Sequence, residues 1–154
     1  MPLAGRDRLG WAPDVAGSSG ARPVMLATLD VPFDEEAASL AVDSAVESGQ
    51  RLIVVSVEEL LLAPMEVFMS WGVPQAEAAA YLAPAELAAS LGVPAERLRV
   101  KSPHPVAALL ELVAEREPGL LVFGPDRSRL KPRRYRKAAA IVRERAACLV
   151  WIAD

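Results

Sequence analysis

The sequence predicts an α/β fold: a doubly wound, five-stranded parallel sheet with helices on both faces, of the Rossmann-like kind. Three observations carry that prediction. Short apolar runs, of which Leu-Ile-Val-Val-Ser-Val over 52–57 is the clearest, have the composition of strands buried on both faces. Between them lie longer stretches whose apolar residues recur three and four apart, the period of a helix packed by one side. Short connections then make each strand–helix–strand unit a right-handed crossover between parallel neighbours.

The elements follow in order. Pro23 opens the folded part, and residues 24–29 form a first strand ending at Asp30. From Asp34 the pattern becomes helical: Glu35 and Glu36 supply acids to the first turn, Ala37, Leu40, Ala41 and Ala45 form one face, and Gly49 lies past the end. The second strand covers 52–57. Residues 58–72, with Leu60, Leu61, Leu62, Met65, Phe68, Met69 and Trp71 around Pro64, read as a short helix or lid. Helical composition runs from Gln75 to Leu91 with a break expected at Pro84, and Gly92 ends it. A short third strand is expected over 98–101. Over 106–117 apolar residues recur at 106, 109, 110 and 113, and Pro118-Gly119 stops that helix. The fourth strand, 120–123, ends at Gly124, and a loop follows over 125–131. Pro132 suits the first turn of the last helix, in which Tyr135, Ala138, Ala139, Val142 and Ala146 line one face while Arg133, Arg136, Lys137 and Arg143 line the other. Residues 149–153 make the fifth strand.

A chain of 154 residues, 53% apolar but only 5% aromatic, is one domain with an Ala-, Val- and Leu-rich core, and a disordered chain is excluded. No apolar run reaches the roughly 18 residues of a membrane span, so none is expected. Residues 1–22, with Arg6, Asp7, Arg8 and Asp14 among Gly, Pro and Ser, read as a flexible arm ahead of a domain over 23–154; Trp11 is read as exposed. Cys148 is the only cysteine, which precludes an internal disulfide and fits a reducing cytoplasm; its flanks Ala147 and Leu149 suggest a buried strand residue. The net charge of −3 conceals an asymmetry. Residues 124–145 hold nine Lys or Arg against Asp126 and Glu144, a surplus of +7 that leaves −10 on the rest.

Catalysis finds no foothold. His104, the only histidine, stands between prolines with no Ser or Cys partner to make a triad, and no cluster has metal-ligand spacing. A capping or surface role is expected for it. Glu35-Glu36 and Glu58-Glu59 read as helix-start acids. The basic segment admits a solvated helix face, or an anion site in which Arg127, Arg129, Lys131, Arg133 and Arg136 gather near a helix N-terminus. Nucleic-acid binding would need interleaved aromatics, and Tyr135 faces inward. In a doubly wound sheet, ligands bind at the carboxyl ends of the strands, which here carry Asp30, Val57 and Gly124.

Taken together, the strand ending in Asp30, the helix with Glu-Ala-Ala followed by Gly49, the run over 52–57, His104-Pro105-Val106 opening a helix, Leu-Leu-Val-Phe-Gly before a basic loop, and Cys148-Leu-Val-Trp-Ile at the end resemble the universal stress protein family over residues 23–153. The resemblance implies a homodimer paired through the last strand, with Cys148, Leu149, Val150, Trp151 and Ile152 at the interface, and a stress-associated role. ATP-binding members carry a loop after the fourth strand of the form glycine, two residues, glycine, nine residues, glycine, then serine or threonine, whose backbone N–H groups meet phosphates. Here only Gly124 is kept: Arg127 takes the second position, and in a loop one residue shorter the closing pair falls near Arg136 and Lys137. Asp30 and Val57 match the family's nucleoside contacts, the former also readable as a helix cap, while Val31-Pro32 replaces a small polar pair. The expectation is therefore a family member that binds no cofactor in the family manner and acts through an unidentified protein partner. The alternative keeps ATP, AMP or another phosphate ligand on Asp30, Val57, Gly124, Arg127, Arg136 and Lys137.

Overall fold

Strand β1 (Val24–Leu29) runs through the middle of the sheet with all six residues buried. On one side it pairs in parallel with β2 (Leu52–Glu59) and on the other with β4 (Leu120–Phe123). Strands β3 (Ala95–Ser102) and β5 (Leu149–Ile152) form the edges, giving the order β3-β2-β1-β4-β5. This computed structural model describes residues 22–61 and 75–153. The apolar segment expected as a lid lies, from residue 62 to 72, outside the described residues, as does the arm up to residue 21.

Because side chains alternate across a strand, β1 divides the core in two. Val24 and Leu26 pack with Ala37, Ala41 and Ala45 of α1 (Glu35–Ser48) and with Ala85 and Ala88 of α2 (Gln75–Ser90). Met25, Ala27 and Leu29 pack with Leu109 and Val113 of α3 (Pro105–Arg116) and with Tyr135, Ala138, Ala139 and Val142 of α4 (Pro132–Arg145). The sheet is thus sandwiched as expected. The local signals at α1 are also as read, since Asp34 caps it by accepting from the Ala37 N–H at 3.0 Å, and Gly49, at φ +69°, donates to the Ala45 and Val46 carbonyls.

Several boundaries differ, each for a physical reason. The second strand extends past Val57 to Glu59, and the third runs over eight residues instead of 98–101. Strand β3 alternates exposed and half-buried residues at an edge, so Glu96, Arg97 and Arg99 hide it from any search for an apolar run. Helix α2 continues through a buried Pro84, forfeiting one backbone hydrogen bond without breaking. Helix α3 ends at Arg116, closed by its C-cap Glu117 at a left-handed φ of +48° before Pro118-Gly119 is reached. Cys148 is half-buried and precedes β5 instead of lying inside it; burial pushes its thiol above the ordinary cysteine value.

Glu96 links the polar edge to its neighbours. Its carboxylate accepts from Arg116 of α3 at 2.7 Å and from Arg51, just before β2, at 3.3 Å. The hydrogen bond from Arg116, with lesser help from the charges of Arg116 and Arg51, outweighs desolvation and holds the carboxyl below the usual glutamate value. A folded-state pKa below the unfolded one adds stability above the unfolded value, and that stability is lost as pH falls through the folded one. The stability gap between wild type and Glu96→Gln, measured by urea unfolding, is therefore expected to be largest near neutrality and to close as pH falls below the ordinary glutamate value.

Candidate functional site

The chain winds from β1 toward β3 on one side and returns to β4 on the other, so the winding reverses between β1 and β4. A ligand crevice opens there in folds of this kind, outside the carboxyl ends of the strands. The residues leaving β1 are built tightly. Thr28, fully buried, donates its hydroxyl to the Val31 carbonyl at 2.6 Å and turns the chain at once. Asp30 sits at φ +63°, a left-handed conformation that Asp tolerates better than most side chains.

Asp30 is tied down from three directions. Its N–H donates to the Val57 carbonyl at 2.9 Å, and its Oδ1 accepts from the Glu59 N–H at 2.8 Å. Its Oδ2 forms an ion pair with Arg134, 2.5 Å from Nη2, while Nη1 of the same guanidinium donates to Glu59 Oε1 at 2.7 Å. One arginine from the first turn of α4 therefore bridges the ends of β1 and β2. The helix-capping role considered for Asp30 belongs to Asp34 instead, and Glu59 belongs to a strand end and its ion pair, not to a helix start.

A second set of bonds crosses the reversal itself. Phe33 and Pro125 form an antiparallel bridge, the Asp34 N–H donates to the Gly124 carbonyl at 2.9 Å, and the Asp126 N–H donates to the Pro32 carbonyl at 2.9 Å. Gly124 is required by packing: a Cβ there would lie 2.3 Å from the Ala37 Cβ. In the loop beyond, Asp126 Oδ1 accepts from the Ser128 N–H at 3.0 Å and from its hydroxyl at 2.7 Å, closing a tight turn.

The sequence-predicted residues are thereby placed. Asp30, Val57 and Gly124 converge at the carboxyl ends of β1, β2 and β4. Arg127 turns onto Tyr135, its guanidinium 4.5 Å from the ring centroid, and the Tyr135 hydroxyl donates to the Ala153 carbonyl at 2.7 Å. Arg136 and Lys137 are exposed on α4. Lys137 joins Glu59, His104 and Arg134 around a cavity of about 310 Å³ between α3 and α4. His104 holds the N-cap position of α3 without a side-chain cap bond, and its N–H donates to Ser102 Oγ at 3.0 Å. The α4 N-terminus has no acid in its first turn, and Lys131, Arg133 and Arg136 oppose the helix dipole there. Among the described residues no cluster of His, Cys, Asp and Glu has the makings of a metal site, and no helix is long and apolar enough to cross a membrane.

Arg134 and Glu59 are the site residues that sequence reasoning missed. A signal existed for the arginine: it stands one turn before Ala138, on the flank of the buried stripe, so its head emerges at the strand ends and not on the far face.

Comparison with known proteins yields a family and a fold. The sequence pattern of the universal stress protein family matches residues 20–153. No curated protein sequence matches. Among solved structures, universal stress protein UspA from Lactobacillus plantarum superposes with a TM-score of 0.60 at 18% identity, covering 87% of this chain and 99% of that one. A universal stress protein from Archaeoglobus fulgidus in complex with dAMP gives 0.59 at 18% identity, covering 86% and 98%. A universal stress protein in complex with cAMP gives 0.57 at 23%, covering 86% and 97%.

Two measurements test the site as built. Gly124→Ala forces β4 from α1 and is expected to cost about 1–3 kcal/mol in urea unfolding, the range for overpacking a close-packed core. Arg134→Met leaves two facing carboxylates in half-exposed positions and is expected to lower the melting temperature by about 2–4 °C.

Proposed function

We propose that this chain, which belongs to the universal stress protein family, is a homodimeric, non-catalytic member that does not hold ATP in the family manner and works by stress-associated protein interaction. The observation carrying this reading is the Arg134 guanidinium set between Asp30 and Glu59. A nucleoside that used the Asp30 carboxylate would have to displace a cation already held by two acids. Relatives are solved with dAMP and cAMP; of the four glycine-loop positions that the family resemblance implies for ATP binding, this chain keeps only Gly124, and its loops after β1 and β4 are bonded to each other.

Two features support pairing of two copies along β5. It is a sheet edge, with unpaired backbone groups that call for cover. Leu149 there is 71% exposed, beside half-buried Cys148, Val150 and Trp151 and buried Ile152. A twofold axis along that edge would bury this apolar row against itself. The domain is assigned to residues 23–154, with 1–22 as an arm, and the location to the cytoplasm.

The alternative, a phosphate ligand held by side-chain charge, draws on the exposed cations Lys131, Arg133, Arg136 and Lys137 around the start of α4. Isothermal titration with ATP and magnesium, at low and then moderate salt, separates the two. No heat at millimolar nucleotide is expected. Micromolar binding abolished by Arg136→Glu would overturn the proposal and establish a nucleotide sensor. Light scattering is expected to give twice the chain mass for wild type and the chain mass for Leu149→Glu; a monomeric wild type at tens of micromolar would remove the dimer.

A further inference from the structure

The face of the sheet away from α3 and α4 holds a second cavity, of about 330 Å³, between α2 and strands β2 and β3. Its walls are mainly apolar. Phe33 and Tyr81 meet there edge to face with ring centroids 6.3 Å apart, and Val54 and Leu82 add to the apolar lining. Two polar features do not belong in a plain packing defect. Ser56, 6% exposed, lines this cavity with an Oγ that has no hydrogen-bond partner. A buried hydroxyl without a partner costs free energy unless something else bonds it. Arg97 lines the same cavity and makes no ion pair among the described residues, whereas its neighbour Arg99 is neutralised by Glu58 at 2.9 Å and lies over the Tyr81 ring, 5.8 Å from the centroid.

Strand register explains why these groups converge. Val54 pairs with Arg97 and Ser56 with Arg99, and residues two apart share a face, so the hydroxyl and both guanidinium groups project from the same side of the sheet under α2. The cavity thus offers aromatic edges, an unused hydroxyl and one uncompensated positive charge. Its volume is at the low end for small-molecule sites. We infer that this cavity is a binding site for a small aromatic carboxylate of one or two rings, its ring against Phe33 and Tyr81 and its carboxylate accepting from Arg97 and Ser56. The cavity's lining includes none of Asp30, Val57, Glu59, Gly124 and Arg134, although Phe33 borders both places.

Naphthalene-2-carboxylate and the neutral naphthalene-2-carboxamide serve as probes, titrated into the ¹⁵N-labelled full chain with amide shifts followed by NMR. The carboxylate is expected to shift the amides of Val54, Ser56, Leu98 and Tyr81 and to bind about tenfold more tightly than the amide, the effect of one charge-assisted hydrogen bond. Arg97→Gln, a substitution at an exposed position, is expected to erase that tenfold preference. Ser56→Ala, which removes an unpartnered hydroxyl and leaves the fold intact, is expected to weaken the carboxylate severalfold, and Arg134→Met to leave both probes unchanged. Absence of shifts at millimolar probe, equal affinity for the two probes, a preference that survives Arg97→Gln, or shifts centred on Asp30 and Arg134 would overturn the inference.

Discussion

Strand β1 is buried along its whole length and hydrogen-bonded on both sides, and the molecule is arranged around the consequences. Both halves of the core pack against it, one through Val24 and Leu26, the other through Met25, Ala27 and Leu29. Its ladder must also end somewhere, and it ends where two covering layers and two neighbouring strands meet. Backbone groups in such a place need partners, because an unpaired buried amide is costly. Asp30 supplies both kinds: its N–H serves the Val57 carbonyl, and its side chain serves the Glu59 N–H. The left-handed backbone at Asp30 lets one residue do this while the chain turns toward α1.

That arrangement determines the electrostatics of the crevice. A carboxylate fixed at the strand ends beside Glu59 concentrates negative charge, and the charge attracts whichever cation can reach it. Arg134 reaches it from α4 and engages both acids with one planar guanidinium, which suits two carboxylates better than a flexible ammonium would. An internal cation competes at an effective concentration that a free ligand does not match. Meanwhile the backbone groups of Pro32, Asp34, Gly124 and Asp126 that border the reversal bond to one another. At the crevice, Asp30 and Glu59 are engaged by the chain's own Arg134, and the loops after β1 and β4 are bonded to each other.

How much of this was legible depends on range. Buried strands announce themselves locally, so 24–29, 52–57 and 120–123 could be placed from composition, as could the helix ending at Gly49. Strand β3 could not, because it owes its existence to pairing with β2 and not to its own sequence, which alternates charged and apolar residues at an exposed edge. At the site, Asp30 and Gly124 stood out by position. The reason Gly124 must be glycine did not, since it lies in the Ala37 side chain across the core. Arg134 was one cation among nine in its segment, and only the fold decides which of them reaches Asp30. Ser56 was visible as a lone hydroxyl in an apolar run, but whether it had a partner is a question of tertiary structure.

The arginines and lysines that follow β4 differ in kind from a glycine cradle. A backbone cradle presents N–H groups that the chain's own carboxylates do not readily reach, so it stays available to a phosphate. A side-chain cation is mobile, and any acid nearby can claim it. Arg134 is claimed by Asp30 and Glu59, Arg99 by Glu58, and Arg116 and Arg51 by Glu96. In a chain whose remaining residues carry ten negative charges in excess, most cations near the sheet are neutralised in this way. Excess of basic residues in a segment is therefore a poor guide to an anion site here; what matters is whether a cation lies beyond reach of the acids. Arg97 meets that condition beside a cavity, whereas Lys131, Arg133 and Arg136 around the start of α4 meet it only on open surface, where water and salt screen them.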